Sequence, residues 1–256
     1  MTGISYAVDG PVATITMDRP EVRNAVDGPM AAALRDAFLA AEADPQVCVS
    51  VLHGAGGTFC AGADLGAVAD PDRRHELDPA GGGSGPMGPT RLELRKPVIA
   101  AVAGHAVAGG LELALLADVR IAEPDAVFGV FCRRWGVPLI DGGTVRLPRV
   151  VGQGRAMDMI LTGRPVDAQE AFAIGLVNRL VGPGESLAAA QQMAHEIAAF
   201  PQECVRTDRA SALAQWDLGL ADALRAEGAA GVPVVGAEGA AGAARFVTGE
   251  GRHGVF

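Results

Sequence analysis

One carboxylate lies in the middle of an apolar run. In the stretch 105–118, HAVAGGLELALLAD, Glu112 stands between Leu111 and Leu113 and follows a double glycine. A charged group among apolar side chains costs several kcal/mol unless it is compensated. The same surroundings raise the pKa of a carboxyl group toward neutrality, where it can both accept and donate a proton. Glu112 is therefore either an acid–base catalyst or a first-turn glutamate that favours the helix dipole.

Two glycine-rich turns accompany this carboxylate. The Gly109–Gly110 pair precedes a predicted helix, whose unpaired N–H groups and dipole form a natural anion site. The second turn, FCAGADL at 59–65, follows a predicted buried strand and leads into a short helical segment. Two such N–H donors, meeting across the ends of adjacent strands, could hold an oxyanion, and each is worth roughly 3–4 kcal/mol in a transition state. Glu112 lies one helical turn beyond Gly109 and could reach the same place.

The elements that must position these groups follow an α/β pattern. The sequence predicts a hairpin around Asp9–Gly10–Pro11 and a helix over 29–43 that buries Met30, Leu34, Ala37, Phe38 and Ala41. Continuous apolar strands are predicted at VCVSVLHG and KPVIAAVAG, followed by the helix GGLELALLAD and the shorter strands VRIAE and AVFGV. Strands that alternate with helices in this way indicate an α/β fold.

The strand pattern stops at about residue 185. Three helical stretches follow, which predicts a catalytic core over 1–195 and a helical layer or oligomerisation arm over 196–256. Within the core, the segment 69–90 is rich in glycine and proline. It is expected to be a flexible surface loop or a lid that closes over a ligand.

Composition excludes several classes of function. The net charge of −9 argues against nucleic acid or an anionic membrane as a partner. The four cysteines are widely spaced, so neither disulfides nor a metal site is expected. No signal peptide and no 18-residue apolar run is found, and we expect a cytoplasmic protein. The G-x-G-x-x-G at 249–254 has no following helix and is interpreted as a chance match.

Several segments, in order and spacing, resemble the enoyl-CoA hydratase/isomerase (crotonase) superfamily. They are DGPVATITMDRPEVRNAV, FCAGADL, KPVIAAVAGHAVAGGLELALLADVRIA and LPRVVGQGRAMDMILTGRPVDAQEAFAIGLVNRLV. The resemblance implies a core of repeated ββα turns in a superhelix and a C-terminal helical region that mediates trimers, with hexamers built as dimers of trimers. It also implies an acyl-CoA substrate, with no cofactor other than the coenzyme A that the substrate carries.

The resemblance also implies roles for individual residues. The N–H groups of Ala63 and Gly109 form the oxyanion hole for the thioester carbonyl, and Glu112 matches the first catalytic glutamate. Arg23 lies where the family contacts the CoA phosphates, and the backbone around 60–64 wraps the adenine end. The whole implied substrate- and CoA-binding set is Arg23, Cys60, Ala61, Gly62, Asp64, Leu65, Gly110, Cys132 and Trp135.

This sequence departs from the hydratase pattern at one position. Hydratases carry a second glutamate about twenty residues after the first, and here the equivalent residue is Cys132, whose thiol holds water weakly. Asp141, in LIDGGT, is the compensating candidate and resembles an aspartate of dienoyl-CoA isomerases and some dehalogenases. The alternatives are a helix N-cap for Asp141 and a small buried residue for Cys132. Arg133 and Arg134 are expected to be surface or interface charges, and Trp135 to pack in the acyl pocket or core.

Three hypotheses remain open at this stage. The first is an enzyme that hydrates or shifts a double bond of an acyl-CoA, with Glu112 and Asp141 sharing proton transfer. The second is another crotonase-type reaction, namely hydrolysis, decarboxylation or dehalogenation. The third is an acyl-CoA-binding protein with weak catalysis. The intact AGGLE motif favours an enzyme, because a binding protein would not need Glu112.

Overall fold

The computed structural model describes residues 2–249, and its first part is built on a mainly parallel sheet. Six strands lie in the order β1-β2-β3-β4-β6-β9. They are β1 (Ile4–Asp9), β2 (Val12–Met17), β3 (Val49–Gly54), β4 (Val98–Val102), β6 (Val119–Ala122) and β9 (Arg179–Leu180). Among these six described strands, only the β1–β2 pair is antiparallel. It forms the hairpin predicted around Gly10, whose φ of 53° is accessible to glycine without strain.

A second, three-stranded sheet lies in the same unit. It contains β5 (His105–Val107), β7 (Val127–Gly129) and β8 (Val166–Asp167), with β7 at its centre. The α-helices of the described residues are α1 (Gly28–Ala43), α2 (Gly109–Leu116), α3 (Gly143–Val151), α4 (Gln153–Thr162), α5 (Ala168–Ala173), α6 (Ser186–Ala198), α7 (Gln202–Ala214), α8 (Leu220–Val234) and α9 (Ala240–Thr248).

Helix α1 illustrates how local sequence fixes an element. The Asp27 side chain accepts a hydrogen bond from the Met30 N–H and so caps the first turn. Proline at position 29 suits that turn because its missing N–H would have no partner there. The predicted apolar face is confirmed, since its five residues are all buried: Met30, Leu34, Ala37, Phe38 and Ala41.

The central strands position the two glycine-rich turns. β3 and β4 are adjacent and parallel, so the segments that leave their carboxyl ends emerge at the same edge of the sheet. The first segment then runs beside β5: Cys60 N–H donates to the His105 carbonyl, and Val107 N–H donates to the Cys60 carbonyl. This parallel pairing brings the turn at 61–63 to the start of α2, the two places where the sequence predicts an oxyanion hole.

The chain divides into two compact units after His195. The described part of the second unit contains α7, α8, α9 and shorter helical turns, and it contains no strand. Residues 250–256, which hold most of the G-x-G-x-x-G match, lie outside the described residues. Within 2–249, no helix has the length and apolar character needed to span a membrane.

Candidate active site

The start of α2 meets the turn at 61–63. A Cβ atom built on Gly62 would lie 3.0 Å from the Gly109 nitrogen, so the two turns are in close contact. Among the described residues, neither the Ala63 N–H nor the Gly109 N–H donates to a protein acceptor. Two amide donors without a protein acceptor thus lie in adjoining turns, the two turns for which the sequence predicts an oxyanion hole.

Backbone strain and close packing hold this arrangement. Ala108, just before the helix, has φ 53° and ψ −125°, a conformation that costs a non-glycine residue about 1–3 kcal/mol. Its N–H is bound to the Gly129 carbonyl at 2.9 Å, which helps to hold that conformation. A Cβ atom on Gly110 would overlap the Cys60 carbonyl oxygen, so only glycine permits this approach of helix and turn.

Glu112 is almost completely buried beside these donors. Its side chain is 3% exposed, and Oε1 accepts hydrogen bonds from the N–H groups of Asp141 and Gly143, both at 2.8 Å. Burial raises the pKa of Glu112 to about 7, and the charge of Asp141 acts in the same direction. The two amide bonds and the positive charge of Arg146 oppose that shift. Glu112 is therefore poised to exchange a proton near neutral pH.

Glycine at position 143 is needed for this contact. A Cβ atom there would lie 2.9 Å from both Cγ and Oε1 of Glu112, closer than real Cβ contacts allow. Gly143 therefore admits the carboxylate to the first turn of α3, where unpaired N–H groups stabilise negative charge. The Gly-Gly pair of LIDGGT is thus part of the Glu112 environment.

Asp141 is also buried, at 3% exposure, and lies close enough to Glu112 to affect its pKa. Its Oδ1 accepts hydrogen bonds from the Met87 N–H at 2.9 Å and from the Thr90 hydroxyl. Within the described chain no protein group hydrogen-bonds to Oδ2. The N-cap alternative is wrong, because Gly142 occupies the cap of α3 and no side chain caps it.

Cys132 lies in a short 3₁₀ helix, Phe131–Trp135, and is buried. Burial raises the pKa of its thiol, and the charge of Glu112 raises that pKa further. A thiol in this environment remains protonated at neutral pH, so it is neither a nucleophile nor a base. The structure thus agrees with the interpretation of Cys132 as a small buried residue.

Trp135 is 71% exposed in the single chain, so the expectation that it packs in the core is wrong. It is the last residue of the 3₁₀ helix, and Gly136, at φ 70°, ends the helix immediately after it. Arg133 and Arg134 are exposed, as predicted for surface charges. They fix the segment by donating to the Ile160 and Gly163 carbonyls. Contact between Trp135 and an acyl chain stays a prediction.

The predicted CoA-binding segments run alongside each other. Arg23 is exposed, has φ 54°, and accepts a hydrogen bond at its carbonyl from the Ala61 N–H at 3.0 Å. Val26 exchanges backbone bonds with the same turn, through Gly62 O at 2.8 Å and Asp64 N at 2.7 Å. The structure therefore brings Arg23 to the predicted adenine-binding turn, while its contact with phosphate stays a prediction.

The Asp64 carboxylate belongs to a network of four charges. Arg19 and Arg73 each pair with Asp27 and Asp64, at N–O distances of 2.6–3.2 Å. These four residues help to line an open cavity of about 510 Å³. Leu65, next in the chain, is 45% exposed. The network ties the start of the 69–90 segment to the predicted CoA-binding turn.

The 69–90 segment contains no helix or strand, and it is anchored at both ends. At its start, Arg73 joins the ion network, and the ring nitrogens of His75 lie 2.9 Å from the Val26 carbonyl and 2.8 Å from the Pro86 carbonyl. At its end, Met87 and Thr90 bind Asp141. Motion of this segment stays a prediction, and the anchors indicate that it would be confined to the residues between them.

Four residues of this site were missed by the sequence reasoning. Met87 is buried against Gly109, where a Cβ atom would lie 2.7 Å from its sulfur. Thr90, Gly143 and Arg146 hold the groups around Glu112 and Asp141. Only the double glycine gave a signal in the sequence. A methionine and a threonine in a glycine-rich loop, or an arginine in a helix, do not stand out without the fold.

Comparison with known proteins agrees with this geometry. The enoyl-CoA hydratase/isomerase family model matches residues 8–231. A carnitinyl-CoA dehydratase of Salmonella arizonae is 41% identical over 191 residues, which cover 74% of this chain and 72% of that protein. Enoyl-CoA hydratase EchA19 of Mycobacterium tuberculosis is 37% identical over 192 residues, covering 72% and 70%. The crystal structure of an enoyl-CoA hydratase from Mycobacterium tuberculosis H37Rv superposes with a TM-score of 0.90 at 32% identity, covering 97% and 96%.

This chain belongs to the enoyl-CoA hydratase/isomerase family. The predicted crotonase fold is confirmed, and the chain is an enzyme of the hydratase type that acts on acyl-CoA thioesters. The hydrolase, decarboxylase, dehalogenase and binding-protein alternatives are not favoured by these relatives.

Proposed function

We propose that this enzyme adds water to, or removes it from, the α,β position of an acyl-CoA thioester, with Glu112 as the principal proton-transfer group. The observation that carries the proposal is the Glu112 carboxyl, buried beside two unpaired amide donors, with a pKa of about 7. The names of the relatives, a hydratase and a dehydratase, support this reaction class.

The proposed chemistry uses the site as follows. The thioester oxygen accepts hydrogen bonds from the Ala63 and Gly109 N–H groups, which stabilise the enolate that develops in the transition state. In hydration, a water oxygen bonds to the β-carbon while a carboxylate takes one of its protons. A proton from a carboxylic acid is delivered to the α-carbon. Dehydration is the same sequence in reverse.

Two carboxyl groups are available for these two proton transfers. The charge of Asp141 contributes to the raised pKa of Glu112, which suits Glu112 to act as the acid while a second carboxylate acts as the base. Glu112 has the raised pKa, and the unbonded Oδ2 of Asp141 is the second candidate. In this proposal Cys132 takes no part, since its thiol stays protonated.

The rest of the proposal concerns the bound and assembled enzyme. Arg23 and the turn at 60–65 hold the coenzyme A part of the substrate, and no other cofactor is used. Gly110 supports the oxyanion hole, and Trp135 lies on the acyl side of the site. The enzyme works in the cytoplasm as a homo-trimer or a hexamer.

Double-bond isomerisation is the second candidate. It is favoured by Cys132, because the resemblance expects a second glutamate there and a bond shift needs only one carboxyl group to move a proton. Mass spectrometry of a panel of enoyl-CoAs distinguishes the two reactions. Hydration adds the mass of one water, whereas isomerisation leaves the mass unchanged, and release of free CoA would contradict both.

Four variants test the assignment of Glu112 and Asp141. Glu112→Gln and Asp141→Asn should each lower kcat by about 10²–10⁴, the usual contribution of one acid–base group. Cys132→Ala should cost less than about tenfold. Thr90→Val removes a hydrogen bond of Asp141 but keeps its carboxylate, so it should cost less than Asp141→Asn.

These results are read from initial rates of variants whose fold is checked by circular dichroism. If folded Asp141→Asn turns over normally, Glu112 acts alone. If Thr90→Val and Asp141→Asn lose the same activity, Asp141 serves only to hold the 86–90 segment. If Cys132→Ala abolishes turnover, the proposed chemistry is wrong.

A further inference from the structure

Arg146 lies in the first turn of α3, close to both carboxyl groups of the site. Its guanidinium is partly buried and donates from Nη1 to the Asp141 carbonyl at 3.1 Å and from Nη2 to the Thr90 carbonyl at 2.7 Å. The Thr90 hydroxyl and the Asp141 carboxylate form a second link between the same two residues. Two links therefore join the segment at 90 to the turn at 141. One is the Arg146 guanidinium, and the other is the hydrogen bond between the Thr90 hydroxyl and the Asp141 carboxylate.

Glycine at position 142 makes room for this guanidinium. A Cβ atom there would overlap Nη1 of Arg146, and the residue has φ 94°, which favours glycine. Gly143 in turn makes room for Glu112. The two glycines of LIDGGT therefore leave space for the Arg146 guanidinium at position 142 and for the Glu112 carboxylate at position 143.

The turn between these two charges holds the Glu112 hydrogen bonds. Its Asp141 and Gly143 N–H groups are the donors to Oε1 of Glu112, and Arg146 binds the carbonyl of Asp141. A guanidinium fixed to two carbonyls at defined angles restricts the turn more than a single ammonium would. A shift of this turn would weaken both amide bonds to Glu112 together.

Arg146 also balances the local charge. It faces the carboxyl groups of Glu112 and Asp141, and the other charged group that acts on it is Arg149, on the same helix. The groups that act on Glu112 are Asp141, Arg146 and the amides of the turn. The neighbouring Cys132 thiol is uncharged at neutral pH. Arg146 is thus the cation that offsets Glu112 and Asp141.

We propose that Arg146 is a positioning residue for proton transfer: it fixes the Asp141–Gly143 turn on the Glu112 carboxyl and supplies the positive charge that balances the two carboxyl groups. It does not touch the substrate and acts through Glu112. The inference rests on the proposed function only in that Glu112 moves the proton.

The pH dependence of kcat/KM for enoyl-CoA hydration tests this role. The charge of Arg146 and the two amide bonds favour ionised Glu112, so their loss raises the pKa of Glu112. The midpoint of the rate change that follows Glu112 ionisation then moves to higher pH. Folded Arg146→Gln should therefore shift this midpoint upward by about one pH unit and lower kcat at pH 7 roughly tenfold. Arg155→Gln is the matched control, since it removes an exposed arginine from the following helix, α4, and should leave the midpoint in place.

Arg146→Lys separates charge from geometry and covers the case in which Arg146→Gln fails to fold. Lysine keeps the positive charge but cannot bind both carbonyls in the same way, so kcat should fall while the midpoint rises less than in Arg146→Gln. Wild-type kcat in folded Arg146→Lys would overturn the positioning role. A folded Arg146→Gln with an unmoved midpoint would overturn the inference, whatever its loss of rate.

An infrared titration keeps this test separate from the proposed reaction. The carboxyl band that is present in wild type and absent in Glu112→Gln reports the Glu112 midpoint without any turnover. If the enzyme does not hydrate enoyl-CoAs, the proposed function fails, and the titration still decides whether Arg146 controls Glu112. If the wild-type enzyme hydrates enoyl-CoAs and Glu112→Gln does not, the proposed function is supported, whatever the result for the Arg146 variants.

Discussion

At the scale of single residues, the site depends on one carboxyl group kept in an unfavourable environment. Glu112 is 3% exposed, and burial is the largest cause of its raised pKa. Two amide bonds and the charge of Arg146 reduce this cost without removing it. A buried carboxylate of this kind should make the folded protein less stable than a variant with a neutral side chain at 112. The same burial gives Glu112 a pKa near neutral pH.

This cost predicts a pH-dependent stability difference. The folded pKa of Glu112, about 7, lies above its ordinary value of 4.5. Protonated Glu112 therefore contributes to the free energy of unfolding. This contribution is complete below the pKa of the unfolded chain and is lost as the pH rises through the pKa of the folded protein. Glu112→Gln stays neutral and keeps an acceptor for both amides. It should therefore be more stable than wild type at pH 8, by at most about 3 kcal/mol.

Urea unfolding at several pH values measures this difference. The advantage of Glu112→Gln should shrink as the pH falls from about 7 toward 4.5, because over that range the folded wild-type protein binds a proton at Glu112 while the unfolded chain does not yet. Glu93→Gln, at an exposed glutamate, is the control and should show no such advantage at any of these pH values. An advantage that is absent at pH 8, or that grows toward pH 5, would contradict the raised pKa of Glu112.

At the scale of elements, the site depends on the start of α2 and on the turn beside it. Cys60 pairs with the residues of β5, and the glycines at 62 and 110 let the turn and the helix approach each other. The proposed oxyanion donors are therefore backbone N–H groups, and the backbone positions them. Substitutions at these glycines should therefore change activity by removing an N–H donor or by moving the backbone.

Two substitutions at Gly109 separate the N–H group from the added side chain. Gly109→Pro removes the donor, whereas Gly109→Ala keeps it, and both add a Cβ atom that would press on the Met87 sulfur. The proline variant should lose about 10²–10³ in kcat beyond the loss of the alanine variant. Equal activities of two folded variants would exclude the Gly109 N–H as an oxyanion donor.

At the scale of the whole molecule, the second unit has many exposed apolar residues. Within its described part, they include Trp216, Leu220, Leu224, Val232, Val235 and Val247. Exposed apolar surface is the kind of surface that a contact between subunits would cover. The predicted role of the helical region in forming trimers is consistent with this composition and stays a prediction.

Light scattering at micromolar concentration measures the assembly. We expect the mass of a trimer or a hexamer, and a lower mass for the double variant Leu220→Glu, Leu224→Glu. Both leucines are exposed, at 78% and 59%, so the loss should come from assembly and not from the core. Leu39→Glu, at an exposed leucine of α1, is the control. A monomeric wild-type protein would contradict the prediction.

Much of the fold followed from local patterns in the sequence. The hairpin around Gly10, the buried strand at Val98–Val102 and the helix from Gly109 were predicted, because alternation, continuous apolar runs and glycine placement act over a few residues. The core alternative for Trp135 was wrong, since an aromatic residue is usually buried but Trp135 is exposed at the end of a short 3₁₀ helix. The apolar preference of a side chain does not fix the direction in which it points.

The sequence by itself determined that Glu112 lies in an apolar helix behind a double glycine, and the family resemblance attached a reaction class to that pattern. The tertiary structure alone decided what surrounds this carboxyl group. Thr90, Asp141 and Arg146 are far from Glu112 in sequence, and their contacts exist only because the 86–90 segment and the start of α3 meet at α2. The pKa of Glu112 depends on distances to these groups, and such distances are a property of the packed chain.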